Sequence, residues 1–192
     1  MKKSHVFDPK HIDVLEMEER RIWQNPEEIL ETIEIKPDFV AADLGCGSGF
    51  FTIPLSQKVK KVYAIDIQKE MLEFLEQKIQ RLKIKNIEPI LSKEDEIPLE
   101  NESIDLLMSI NTLHEFGDKE RMIEEMGRVL KLYGKLLIVD FKKEDTGFGP
   151  PVAIRVSKVQ AKSLFEKKGF TILESKDLVY HYLLVFSKEN LG

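Results

Sequence analysis

Residues 39–49 read Phe39-Val40-Ala41-Ala42-Asp43-Leu44-Gly45-Cys46-Gly47-Ser48-Gly49, and this stretch decides the fold. A short apolar run ends in an acid, and three glycines at alternate positions follow it. Glycine at such a place lets the backbone turn sharply and lets a ligand approach the chain closely. The spacing is not the dinucleotide fingerprint, because Phe50 occupies the position of that motif's third glycine. Closure around a ligand that carries no pyrophosphate is therefore expected. The plain alternative is a tight strand-to-helix turn with no ligand, for which three alternating glycines would be an unnecessary cost.

Downstream, short apolar runs alternate with amphipathic stretches, which signals a parallel sheet with helices on both faces. Val62-Tyr63-Ala64-Ile65-Asp66 is the second run, and Met71, Leu72, Leu75, Ile79 and Leu82 behind it repeat at helical spacing. The third run, residues 87–91, contains Pro89 and is placed at a sheet edge, where a missing N–H is tolerated. Residues 104–110 form a fourth strand, followed by a helix carrying Met122, Ile123, Met126, Val129 and Leu130. A turn at Tyr133-Gly134 leads into a fifth strand over 135–140, and residues 142–152 read as a polar loop with Gly and Pro. Ser157 and Gln160 have capping-box spacing and open a helix that Gly169 closes. Two last strands, near 170–173 and 179–186, are joined by a short link and should pair as an antiparallel hairpin.

The expected fold is thus α/β: a doubly wound, mostly parallel seven-stranded sheet with a C-terminal antiparallel hairpin. Residues 1–36 read as an N-terminal helical cap, with Ile12, Leu15, Ile22 and Trp23 roughly on one face. Asn25-Pro26 starts a second helix there, as N-cap and first position. Residues 37–192 make up the sheet-bearing part of what is one structural domain.

The chain has 192 residues, 42% of them hydrophobic and 33% charged, which suits a single soluble domain. No apolar run approaches the roughly 20 residues that span a membrane, and no apolar signal-peptide core follows the first residues. A cytoplasmic protein without membrane contact is expected. Cys46 is the one cysteine, so neither an intramolecular disulfide nor a cysteine-based zinc site can form. The net charge of −5 argues against a broad nucleic-acid surface. Histidines and carboxylates stand at no metal-ligand spacing, so no metal is expected.

The stretch Asp43-Leu44-Gly45-Cys46-Gly47-Ser48-Gly49 resembles motif I of class I S-adenosylmethionine-dependent methyltransferases. The resemblance is strongest to the small-molecule branch that includes the ubiquinone/menaquinone biosynthesis enzymes (methyltransferase type 11-like). It covers roughly residues 37–140 well and the remainder more loosely, and it implies a Rossmann-like sheet with S-adenosylmethionine as cofactor and S-adenosylhomocysteine as product. It also implies that Asp43 faces the methionine amino group and that the backbone of Gly45, Cys46, Gly47 and Gly49 packs beside the cofactor. Asp66, with Ile67 beside it, takes the family's ribose-binding position. The residue chemistry agrees there, since a strand-end carboxylate can accept hydrogen bonds from two vicinal hydroxyls. An ordinary helix-capping Asp is the alternative.

One position departs from the family pattern. Family members often carry Gly-Asp-Ala-x-x-Leu-Pro after the third strand, the Asp contacting adenine, whereas this chain has Ser92-Lys93-Glu94-Asp95-Glu96-Ile97-Pro98. Lys93 stands at the Asp position, so Glu94 or Asp95 takes the role, or backbone groups suffice. The segment Asn111-Thr112-Leu113-His114-Glu115-Phe116 matches the part that passes under the cofactor and faces substrate, which adds Asn111 and His114 to the candidate contacts. It lacks the prolines of amino-directed nucleic-acid methyltransferases, and no Pro-Cys nucleophile exists for cytosine chemistry. The core also resembles arsenite methyltransferases, whose several cysteines are missing here.

Methyl transfer from a sulfonium is an in-line displacement, so alignment and exclusion of water are the protein's main tasks. A general base is required only where the acceptor must lose a proton. His114, at the C-terminal end of a strand and with a near-neutral ordinary pKa, is the catalytic candidate; otherwise it packs against adenine or caps a helix. His181 reads as part of the final strand, Trp23 as packing, Cys46 as a small buried residue, and His5 as part of a terminus that could fold over the pocket. Substrate contacts are expected from the N-terminal segment and the loop 142–152, where Gly147 to Pro151 form either a lid or a solvated connection. Arg155 either pairs an anionic substrate or caps carbonyls. A small-molecule acceptor is the main expectation. Aminopropyl transfer on the same fold, or a non-catalytic cofactor-binding subunit of a larger complex, are the alternatives. The sequence carries no signal for the acceptor atom or the oligomeric state.

Overall fold

The computed structural model describes residues 7–189, so His5 lies outside the described residues. Strands β1 (Val40–Leu44), β2 (Lys61–Asp66), β3 (Ile87–Leu91), β4 (Ile104–Ile110), β5 (Leu130–Phe141), β6 (Phe170–Asp177) and β7 (His181–Lys188) form one sheet. Their order is β3-β2-β1-β4-β5-β7-β6, and only β7 runs antiparallel to its neighbours. The helices are α1 (Ile12–Leu15), α2 (Glu18–Trp23), α3 (Pro26–Leu30), α4 (Thr52–Ser56), α5 (Lys69–Leu82), α6 (Lys119–Val129) and α7 (Lys158–Lys167).

The central strands are apolar at consecutive positions because both of their faces are covered. Ala42, Leu107, Leu136, Ile138 and Leu184 pack on one face with Met122, Ile123 and Met126 of α6 and Phe165 of α7. Their neighbours Ala41, Leu106, Leu137, Val139 and Leu183 pack on the other face with Leu55 of α4 and Leu72 and Leu75 of α5. β3, with only Ile87 buried, lies at the edge, where its proline was expected. Local signals set the helix ends. Asn25 accepts hydrogen bonds from the Glu27 and Glu28 amides, Asp118 accepts one from the Arg121 amide, and Ser157 with Gln160 closes a capping box.

Two expectations need correction. Ile22 does not share an inward face with Trp23; it is 83% exposed. The extended backbone at Met17 separates α1 from α2 and resets the helical phase, so Arg20, Trp23 and Gln24 turn inward instead. The turn at Tyr133-Gly134 does not precede the fifth strand but is looped out within it. Leu130 pairs with Ile104 and Lys135 with Leu106, and Tyr133 takes φ +62° in the excursion between them.

Strand order reverses between β1 and β4, which opens a crevice outside their C-terminal ends. The glycine turn sits on its rim. Gly49 adopts φ +84°, and an added Cβ would lie 2.4 Å from Leu75 Cδ1, so this glycine lets α5 pack against the turn. Gly147 has φ +73° with open space around it. Gly147→Ala should therefore cost only the left-handed backbone penalty of about 1–2 kcal/mol. Gly49→Ala should cost more, read as a larger drop in the urea midpoint with m unchanged. Equal midpoints would show that Leu75 yields freely.

Candidate active site

A cavity of about 920 Å³ fills the crevice. Its floor is the ends of β1, β2 and β4; its roof is α1, α2 and the loop at Phe148–Pro151. Asp43, Gly45, Cys46, Gly47, Asp66, Ile67, Glu94, Asn111 and His114 all line it. Asp95 and Gly49, also expected at the site, do not. Asp95 is exposed on the outer side of its turn, and Gly49 serves the α5 contact described above. Lys93, at the position of the family's acid, points its amine to Glu96 at 3.0 Å.

The glycine turn is tied to β2. The Gly45 and Cys46 amides both donate to the Ile65 carbonyl, at 2.8 and 3.0 Å, and the Gly47 amide donates to Asp66 Oδ2 at 2.9 Å. Asp66 Oδ1 accepts from the Gln68 amide at 2.9 Å, so it braces the turn ahead of α5 without capping the helix itself, and it also lines the cavity. Gly45 has φ +77°, and an added Cβ would sit 2.4 Å from Thr112 Oγ1. The loops after β1 and β4 thus approach each other more closely than any side chain at 45 would permit.

Asp43 is 2% exposed and accepts the Thr52 hydroxyl at 2.6 Å. Burial pushes its pKa up to about 7, the Thr52 hydrogen bond and Arg20 pull it down, and the Asp66 charge adds to the rise. Asp66 is also raised, chiefly by burial, against the backbone amides that stabilise its charge. Glu115 also lines the cavity; burial foremost lifts its pKa to about 7, and the Asp66 charge adds to the rise.

His114 is clamped by Asp140, a residue that sequence reading missed. Asp140 Oδ2 accepts the His114 amide at 2.9 Å, and Oδ1 accepts the Phe141 amide at 2.7 Å and faces His114 Nδ1 at 2.7 Å. A carboxylate that already accepts two amides takes the third partner as a donor too, which places the imidazole proton on Nδ1 and leaves Nε2 as the acceptor. Nε2 lies 3.9 Å from Glu115 Oε1. A signal existed: Asp140 ends an apolar run just as Asp43 and Asp66 do.

The remaining candidates are placed as follows. Trp23 lines the cavity and stacks on His181 with centroids 5.4 Å apart, and Phe148 and Tyr180 complete the aromatic group. His181 is off the wall; burial drives its pKa down to about 3, and its ring nitrogens have no hydrogen-bond partner among the described residues. Arg155 caps carbonyls: it donates to those of Pro150, Lys142, Glu144 and Phe148, which makes the loop 142–152 one braced body. The Asn111 amide exchanges two 3.0 Å hydrogen bonds with Gln24 of α2 and so joins floor to roof. Among the described residues, no three His, Cys, Asp or Glu side chains come together as metal ligands, and no helix is long and apolar enough to cross a membrane.

The doubly wound sheet, the glycine turn and the strand-end acids define a class I S-adenosylmethionine-dependent methyltransferase fold. Residues 35–182 match the family described as "Methyltransferase domain", and the chain belongs to that family. It is 31% identical to an S-adenosylmethionine-dependent methyltransferase of Aquifex aeolicus, with TM-score 0.90 over 95% of this chain and 100% of that one. It is 29% identical over 130 residues to a demethylmenaquinone methyltransferase of Bacillus mycoides, covering 66% of this chain and 54% of the relative. A methyltransferase-like protein of Schizosaccharomyces pombe is 36% identical over 121 residues, 62% of this chain and 44% of that protein. The chain spans about half the length of these curated relatives.

The buried acid at 43 gives a pH signature. In the native state it holds its proton up to about pH 7, but in the unfolded chain only up to the ordinary value of 3.8. Between those values the native state binds the extra proton, so this group lowers stability by up to about 1.4 kcal/mol per pH unit as pH rises. Asn does not titrate. The stability of Asp43→Asn relative to wild type, from urea melts, should climb from pH 4 to 7 and level above it. A flat difference across that window would contradict the raised pKa.

Proposed function

We propose that this chain transfers the methyl group of S-adenosylmethionine to a small-molecule acceptor within the crevice. The observation that carries the reading is the deep cavity in the crevice, whose size suits a small-molecule site. Asp43, Asp66 and the glycine turn line it together with His114 and the rings of Trp23, Phe148 and Tyr180. The demethylmenaquinone methyltransferase relatives support an acceptor of low mass.

The donor set fits the cofactor. Asp43 is an acceptor for the methionine ammonium, and its carboxyl would ionise on meeting that cation. Asp66 keeps lone pairs for the ribose hydroxyls. Gly47, where an added Cβ would meet only Leu15 Cδ1 of the roof at 3.5 Å, leaves the backbone open to close approach. Ile67 and Glu94 flank the place for the adenine. The cofactor supplies an activated methyl on a sulfonium; the chain's part is to exclude water, align the acceptor and take up a proton where the acceptor releases one. His114 Nε2 is the atom for that proton, and Asp140 fixes the tautomer and steadies the imidazolium.

Calorimetric titration with S-adenosylmethionine and S-adenosylhomocysteine tests the cofactor site. Wild-type binding should be in the micromolar range, and Asp66→Ala should weaken it by about 10- to 100-fold, the loss of hydrogen bonds to a charged group. No binding by the wild type would sink the reading. With methyl-labelled cofactor and a fractionated cell extract, the label should appear in the low-mass fraction; label confined to protein or RNA would remove the small-molecule acceptor.

A further inference from the structure

Helix α2 carries four charged side chains, Glu18, Glu19, Arg20 and Arg21, and only Arg20 is buried, at 7% exposure. Buried arginine is ordinarily paired with a carboxylate. Arg20 makes no ion pair among the described residues. Its Nε donates to Gln24 Oε1 at 3.0 Å and its Nη1 to the Leu15 carbonyl at 3.0 Å, while the guanidinium carbon lies 4.2 Å from the Phe50 ring centroid. No acceptor among the described residues is matched to Nη2. The side chain lines the cavity together with Asp43, Gly45 and Phe50. A positive charge is thus held in the cavity wall, where the Glu16 and Asp43 carboxyls act on it from a distance but neither closes an ion pair with it.

Resting on the cofactor reading above, we propose that Arg20 binds the carboxylate of the cofactor's methionyl end and so selects a donor with an intact amino acid. The two charges of that end are an ammonium and a carboxylate. Asp43 and Arg20 supply one counter-charge for each, in the same part of the cavity. The guanidinium fork suits a carboxylate better than a point charge does. Phe50 beneath it and Gln24 beside it fix the plane of the fork, and Gln24 is itself anchored to Asn111. The lowered pKa of about 10, caused mainly by burial, leaves Arg20 charged throughout the physiological range. Decarboxylated S-adenosylmethionine, the aminopropyl donor, has no anion to offer this residue. The arrangement therefore favours methyl transfer over aminopropyl transfer on one and the same fold.

Two probes that differ only in the carboxylate test this: S-adenosylhomocysteine and its decarboxylated counterpart, S-adenosyl-3-thiopropylamine. The second is a cation, and the carboxylates Asp43, Asp66 and Glu115 in the wall would favour it on charge alone. Wild-type protein should nonetheless bind S-adenosylhomocysteine about 10- to 100-fold more tightly by calorimetry, the range for a charge-assisted hydrogen bond. Arg20→Met should erase the preference, losing affinity for S-adenosylhomocysteine and keeping that for the thiopropylamine within about 3-fold, the range of an unperturbed site. Arg20→Lys, which keeps the charge without the fork, should retain part of the preference. Equal wild-type affinity for the two probes would overturn the inference, with no variant needed. A parallel loss of both in Arg20→Met would overturn it as well and make Arg20 a packing residue. Wild-type binding of neither probe would instead overturn the cofactor reading itself.

Discussion

The arrangement depends on a carboxylic acid buried at the end of the central strand. Asp43 has almost no water, one hydroxyl partner in Thr52, and a second acid, Asp66, close enough to oppose its ionisation. A carboxylate in such a place is tolerated only with compensation. Thr52 can reach it because the glycine turn folds back at once, bringing the first turn of α4 over the strand end. That turn is possible because Gly45 clears Thr112 and Gly49 clears Leu75. Asp66 then bonds the turn through the Gly47 amide. The glycine turn, the start of α4 and the end of β2 are thereby arranged around one buried acid.

The lining of the cavity is of two chemical kinds. Asp43, Asp66 and Arg20 bring charge beside the backbone of the glycine turn. Trp23, Phe141, Phe148 and Tyr180 bring aromatic surface, Phe148 meeting Phe141 and Tyr180 edge to face and Trp23 at a tilt. Between these kinds stand His114 and Glu115, and the imidazole is fixed because Asp140 behind it is fully used by three donors.

Most of the sheet was legible in the sequence because its signals are local. Apolar runs, capping residues and a glycine turn are read within about ten residues of themselves, and the edge position of β3 follows from Pro89 alone. What escaped depends on distance. The His114–Asp140 contact joins residues 26 apart, and Asp140 looked like any strand-end acid until β4 and β5 were side by side. Arg20 sits among charged neighbours on a short helix, and composition assigns such a residue to solvent; its burial follows from a phase reset at Met17 that helical periodicity does not register. Glu94 and Asp95 are adjacent and both exposed, and only the course of the turn brings Glu94 to the cavity's rim. The bulge in β5 hid in the same way, because a Tyr-Gly pair reads as a turn whether it precedes a strand or interrupts one.

The family match begins at residue 35, yet much of the roof comes from residues 7–24. Those residues form helices of four and six residues, too short to be stable in isolation. The segment is held by a small set of bonds to the floor: Gln24 to Asn111, Glu16 to Lys78 and Ser48, and Phe7 to Gln68 and Glu115. A unit with so little buried area of its own is the first to open when a protein fluctuates locally. The matched domain thus supplies the floor of the cavity, and a segment ahead of it, held by few bonds, supplies much of the roof.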